Sequence, residues 1–307
     1  METQAAKKVL LVYYSQTGQL HTLAQHFAAP LQAQKGIEVE MLALQPVVPY
    51  AFPWRFWRFF NTFPETVHLQ PAPILPPQTA HAHYDLVVLA YTVWFLSPSQ
   101  PMTAFLQSPQ AAALLRDTPV ITLIGCRNMW LMAQEQMKRL LAGHGARLVG
   151  NVVKIDACSS AASFVTTPAW MLTGQRQFFR TLPAAGIADA DLADAARFGA
   201  RTREGLLSGA VDETLLRGMG AVRVNEKLIF SEKVARRSFY LWGKLLLAAG
   251  RVAPWLRRAL LAFYIVFLVL MIVTVVPISA LVKTALAPLL RNSIARQKQY
   301  FSQPSGE

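Results

Sequence analysis

The chain alternates short, nearly continuous apolar runs with longer segments whose apolar positions recur every three to four residues. Residues 9–14, 37–43, 86–91 and 120–125 are largely apolar and rich in β-branched side chains, and residues 147–155 form a fifth, weaker run. Successive side chains of a strand point to opposite faces, so a run that is apolar at every position is buried on both. Helical periods fill residues 20–34, 102–116 and 132–143 between the runs, and a further one spans residues 189–207 with Asp189 as candidate N-cap. Twice-buried strands alternating with helices predict an α/β domain with a doubly wound parallel sheet of five strands over residues 1–208.

One connection breaks the rhythm. Residues 45–83 carry no strand or helix period, but Tyr50, Phe52, Trp54, Phe56, Trp57, Phe59, Phe60 and Phe63 crowd its first half, ahead of the proline run PAPILPP. A disordered linker is poor in aromatics, so this insert is expected to be an ordered lid or docking element.

The C-terminal third has a different texture. Residues 209–258 mix Lys233, Arg236, Arg237 and Lys244 with Phe239, Trp242 and Leu245, which suits either a basic helix in a membrane interface or an amphipathic packing helix. Residues 259–282 contain no charge at all. As a helix they would extend ~36 Å, against ~30 Å for a hydrocarbon core, so they are expected to form a membrane segment. A basic tail, 283–307, follows. The net charge of +13 is concentrated here: residues 211–307 hold 14 Lys/Arg against 5 Asp/Glu, and residues 1–210 hold 16 against 12. Basic residues flanking an apolar segment point to anionic lipid headgroups. No nucleic-acid-binding motif accompanies them, so nucleic acid is not an expected partner. Basic residues balance on the two sides of the segment and give no orientation. Pro277 offers a break at which the segment would re-enter instead of spanning.

Candidate chemistry gathers at the strand-to-helix joints. The first reads YYSQTGQL, residues 13–20. A helix N-terminus has unpaired N–H groups and a partial positive charge; a glycine lets backbone approach an anion, and hydroxyls add donors. Ser15, Thr17 and Gly18 supply these. The spacing matches neither the P-loop nor the dinucleotide fingerprint. Two cysteines, Cys126 and Cys158, give no disulfide framework or metal spacing, and His81 and His83 have no ligand-like company.

The joint resembles the FMN phosphate loop of the flavodoxin-like superfamily, approximately Ser/Thr-x-Thr-Gly-x-Thr, here Ser15-Gln16-Thr17-Gly18-Gln19-Leu20. Leu20 departs from it, removing a donor unless His21 or Thr22 substitutes. The stretch YTVWFLSPSQPMTAFL after the third run and GCRNMW after the fourth resemble the other flavin loops of that superfamily. The resemblance implies the strand order 2-1-3-4-5 and FMN held by residues 15–20, by Thr92, Val93, Trp94 and Phe95, and by Gly125, Cys126, Arg127 and Asn128. Read by themselves, Trp94 is either a flavin stacker or core filler, Cys126 a small buried side chain, and Arg127 a solvated cation.

The aromatic insert leaves the second strand on the flavin edge, and with the apolar C-terminus it points to an FMN-dependent oxidoreductase working on a lipophilic substrate at the cell membrane. Its sheet domain would face the cytoplasm, with NAD(P)H as a candidate electron donor. More narrowly, YYSQTGQL, the insert, TTPAWMLTG (166–174) and the hydrophobic C-terminus resemble bacterial dialkylresorcinol condensing enzymes. That resemblance implies oxidation or aromatisation of a lipid ring beside a ketosynthase-type partner. Two alternatives stay open, a quinone-linked reductase or oxidase and a flavin-free membrane scaffold.

Overall fold

The computed structural model describes residues 6–274, 278 and 291–306. Strands β1 (Lys7–Tyr13), β2 (Ile37–Ala43), β3 (Leu86–Trp94), β4 (Ser97–Pro98), β5 (Pro119–Cys126) and β6 (Arg147–Ile155) form one sheet. Its order is β2-β1-β3-β5-β6, all parallel, with β4 hung antiparallel on β3.

The expectation of five strands in the order 2-1-3-4-5 is therefore corrected to six in this order. The extra strand arises because β3 runs on past Tyr91 and turns back through Phe95 and Leu96, pairing Val93 with Pro98 and Trp94 with Ser97. Both turn residues have positive φ, 49° and 58°, as a tight two-residue hairpin requires. Neither is glycine, so the turn carries backbone strain of about 1–3 kcal/mol per residue.

The twice-buried pattern has the expected consequence. Val9 and Leu11 of β1 face one core with Leu20, Leu23 and Phe27 of α1 (Gln19–Gln32) and Phe198 and Leu206 of α9 (Ala195–Ser208). Leu10 and Val12 face the other. There they meet Met102 and Phe105 of α4 (Gln100–Leu106), Leu114 of α5 (Pro109–Leu115) and Met137 of α6 (Leu131–Gly143). Each such buried side chain contributes roughly 1.5–3 kcal/mol. Two helices expected to be single are split. Pro109, which starts α5, has no N–H to continue α4, so residues 102–116 form two helices. Residues 189–207 divide into α8 (Asp189–Ala193) and α9, and Ala188, not Asp189, occupies the N-cap.

The aromatic insert is ordered around α2 (Phe56–Asn61) and α3 (Phe63–Val67), with Pro46 bridged to Ile74. It packs against the C-terminal hairpin of α10 (Glu226–Val252) and α11 (Pro254–Val273). Phe63, Val67, Leu246, Leu261 and Tyr264 form a third core there, with Phe63 stacked on Tyr264 at 4.8 Å. Among the described residues α11 is long and apolar enough to cross a membrane. It begins at Pro254, not at residue 259, because a proline, with its fixed φ and no N–H to leave unpaired, suits the first position of a helix. Residues 275–277 and 279–290, including Pro277 and Lys283, lie outside the described residues. Residues 291–302 are helical.

Candidate functional site

In a sheet ordered β2-β1-β3, the connections from β1 and β3 depart to opposite sides, leaving a crevice at the carboxyl ends of these strands. A cavity of about 140 Å³ lies there. The segments following β1, β3 and β5 all reach it, contributing Ser15, Gln16, Thr17, Gln19 and Leu20, then Thr92, Val93 and Trp94, then Gly125, Cys126 and Arg127.

The first segment is built as an open helix end. Gly18 is the N-cap of α1 at φ 87°, with nothing within 4 Å of where a Cβ would stand. Gly18 has no side chain with which to cap the helix, and no acid lies in its first turn. The Ser15 hydroxyl accepts from the His21 N–H at 3.1 Å, and the Thr22 N–H donates to the Gly18 carbonyl. Among the described residues, the N–H groups of residues 16–20 and the Thr17 hydroxyl donate no hydrogen bond, and the buried His21 Nδ1 has no partner. Unpaired donors at a helix N-terminus carry partial positive charge, which suits an anion.

The two glutamines of this loop are otherwise engaged. Gln16 Nε2 donates to the Ala51 carbonyl at 2.9 Å, and Trp54 Nε1 donates to Gln16 Oε1 at 3.0 Å, so the insert is latched onto the loop. Gln19 exchanges bonds with the backbone of Ile187 at 3.0 and 3.1 Å. That exchange needs the backbone before it to come close. Gly186, at φ 92°, has no room for a Cβ, which would stand 2.3 Å from Gln19 Oε1.

Over the cavity sits an aromatic cluster. Trp94 lies edge-on to Tyr14, Tyr50 and Trp54 at 5.0–6.1 Å. Tyr50 donates to Gln100 Oε1 at 2.6 Å; burial, more than any neighbouring charge, lifts its phenol to about 12. Trp94 thus both borders the cavity and fills the space beneath the insert.

Three candidate residues are placed elsewhere. Gly18 shapes the loop but does not line the cavity. Phe95 is swung away by the positive-φ turn onto Phe59 and Phe63, at 5.1 and 5.3 Å. Asn128 Nδ2 donates to Ser160 at 3.0 Å. Arg127 is half-buried instead of solvated, donating to Ser163 and lying 4.2 Å from the Phe164 ring centre. Burial lowers its pKa, with Asp156 opposing. Burial also pushes the Cys126 thiol far up, and the charges of Glu232 and Asp156 add to this, so it is a poor source of thiolate.

One wall was absent from the sequence reading. Asp156, Gly186, Ile187 and, from α7 (Ser163–Thr173), Thr167, Trp170 and Met171 close the cavity. Asp156 organises this wall, accepting from the N–H groups of Cys158 and Gly186 at 2.7 and 2.8 Å and from Thr167 at 3.2 Å. The available signals were the apolar TTPAWMLTG stretch and a glycine followed by an isoleucine, too common to mark a site by themselves.

The donor set fits the phosphate end of a flavin nucleotide: open amides, a free threonine hydroxyl, an unpaired histidine nitrogen and, in the cavity wall, one acid already saturated by donors. The ring end is tighter. Pockets for ligands of that size measure ~300–1,000 Å³, so the aromatic cluster has to part to admit the ring system.

No protein-family model matches the chain, and no curated protein does. Solved structures similar to it are flavodoxins and flavoproteins. A flavoprotein from Lactobacillus acidophilus NCFM, solved in complex with FMN, is 17% identical at a TM-score of 0.39, covering 48% of this chain and 93% of its own. A flavodoxin from the domain Archaea is 11% identical at 0.37, covering 65% and 99%. Azoreductase AzrA is 12% identical at 0.35, covering 63% and 99%.

Proposed function

We propose that this chain is a membrane-associated, FMN-dependent oxidoreductase acting on a lipophilic substrate, with its sheet domain on the cytoplasmic side. The observation that carries the reading is the open N-terminus of α1, whose unpaired amides adjoin a cavity at the sheet's switch point. The amides of residues 16–20 and the Thr17 hydroxyl hold the phosphate. Thr92, Val93 and Trp94 bound the ring, and Gly125 and Cys126 bring the β5 end against it. FMN supplies hydride or electron transfer when bound. The protein's share is orientation and exclusion of water, the second through the Tyr14, Tyr50, Trp54 and Trp94 rings.

Support for a lipophilic substrate comes from the continuity of that ring cluster with the C-terminal hairpin. Trp54 touches Phe59, Phe59 touches Phe95, Phe95 touches Phe63, and Phe63 stacks on Tyr264 of α11. The insert therefore lies between the cavity and the apolar helix. A lipid ring of the dialkylresorcinol class, handed on by a ketosynthase-type partner, is the narrower form of this reading. Its oxidation would pass two electrons to the flavin, and an oxidised carrier such as a quinone or NAD(P)+ would take them up and close the cycle, whereas NAD(P)H as electron donor belongs to the reductase alternative. This narrower form rests on the sequence resemblance.

A flavin-free scaffold is the competing reading, favoured by the small cavity. The test is the visible spectrum of the full-length protein in mild detergent, before and after addition of FMN. A bound flavin that bleaches with reductant supports the oxidoreductase; a colourless protein that takes up no FMN sinks it.

A further inference from the structure

A second, more open pocket, of about 440 Å³, lies at the elbow between α10 and α11. Asn61, Gln70, Gly250, Arg251, Arg257 and Arg258 line it. Arg257 is committed to the insert, donating to both Glu65 oxygens at 2.6 and 2.9 Å and to Asn61 Oδ1 at 2.9 Å. Arg251 and Arg258 form no ion pair among the described residues. The cavity therefore has three guanidinium groups against one carboxylate. α11 also starts here, at Pro254, with no side-chain cap and no acid in its first turn, so its positive end is uncompensated.

We infer that this elbow is a binding site for the phosphate headgroup of an anionic phospholipid. Phosphate oxygens match the guanidinium fork, and a phosphodiester can bridge two arginines at once. The surroundings favour a lipid over a soluble phosphate. Trp255, beside the arginines, is 69% exposed, and from there α11 presents Phe263, Val266, Val269 and Leu270 to the outside, each more than half exposed. A charged pocket at the head of an apolar stripe, with a tryptophan at the boundary, matches a lipid's own division into headgroup and chain.

The leaflet is also defined. Beyond α11 the chain returns to the sheet domain. Lys298 pairs with Glu226 at 2.9 Å, Tyr300 donates to Glu135 at 2.8 Å, and the Asn151 N–H on β6 donates to Ser305 at 2.7 Å, while Phe301 is buried. The chain before α11 and the chain after it are held to the same body. The headgroup thus belongs to the leaflet facing the sheet domain.

This inference rests on the membrane association proposed above, and one flotation experiment separates the two. Full-length protein is mixed with phosphatidylcholine vesicles, or with vesicles that also contain phosphatidylglycerol. The expected result is binding to both, tighter to the second. Arg251→Gln with Arg258→Gln should remove about fivefold of affinity per arginine for the anionic vesicles only. Arg116→Gln with Arg217→Gln, away from the elbow, should remove little. Binding to neither vesicle would overturn membrane association and this site with it. Equal binding to both, or equal losses in the two double variants, would overturn the site alone. Displacement from anionic vesicles by inorganic phosphate at constant ionic strength would replace the lipid with a soluble phosphate ligand.

Discussion

Two helix N-termini stand at the carboxyl edge of this sheet, and the chain treats them in opposite ways. At α6, Glu232 of α10 reaches across and accepts from the Met132 N–H at 2.7 Å. Glu232 is fully buried, and burial outweighs the bonds from Met132 and Leu131, so its carboxyl is raised to about 8. At α1 the Ser15 hydroxyl takes the His21 N–H alone, and no acid reaches the helix end. Both ends have the same backbone chemistry. One is filled by an acid from the C-terminal extension, despite the cost of burying it, and the other is left open beside a cavity. The difference leaves the α1 end available for the anion that the proposed function requires, and it makes α10 part of the sheet domain's edge as well as a connector.

The comparison can be broken first at α6. A carboxyl whose folded pKa lies above its unfolded value binds its proton more tightly when folded, so stability is full below about pH 4.5 and is lost as pH rises towards about 8. Above about pH 8 the loss should approach about 5 kcal/mol. Glu232→Gln has no proton to lose. Its melting temperature should stay level across that window while the wild type falls, and parallel profiles would refute the buried charge.

At the open end, Gly18→Val places a β-branched residue at φ 87°. The loop must shift and its amides with it, so FMN affinity should fall by about a hundredfold with the circular dichroism of the sheet unchanged. Thr17→Ala removes one donor to a charged group and should weaken FMN by about tenfold, measured by fluorescence quenching. The smallest effect concerns the lid. Trp54→Phe removes the bond to Gln16 and keeps the ring, so FMN association should speed up by about two- to threefold in stopped-flow mixing.

Much of this was legible before any coordinates. Strands buried on both faces announce themselves as unbroken β-branched runs, and the open helix end is local, so Ser15 to Leu20 could be read from contiguous residues. Elements decided by long-range contacts were not legible. Phe95 sits beside Trp94 in sequence, and only a tight turn sends the two to different sides. Asp156, Thr167 and Gly186 meet through hydrogen bonds that cross 11 to 30 positions, each residue being ordinary by itself. Glu232 stands in sequence directly before the charges of the basic stretch, and its burial against α6 depends on where α10 docks. Pro109 did signal the break between α4 and α5, but a period running through residues 102–116 masked it.

The central claim is that the open end of α1 holds the phosphate of a flavin nucleotide. Parallel titrations of the full-length protein with FMN and with riboflavin test it most directly, because the two ligands differ only in that phosphate. The account predicts tight binding of FMN and binding of riboflavin weaker by at least about a hundredfold, as the loss of several charge-assisted bonds implies. Equal affinity for the two, or binding of neither, would contradict it.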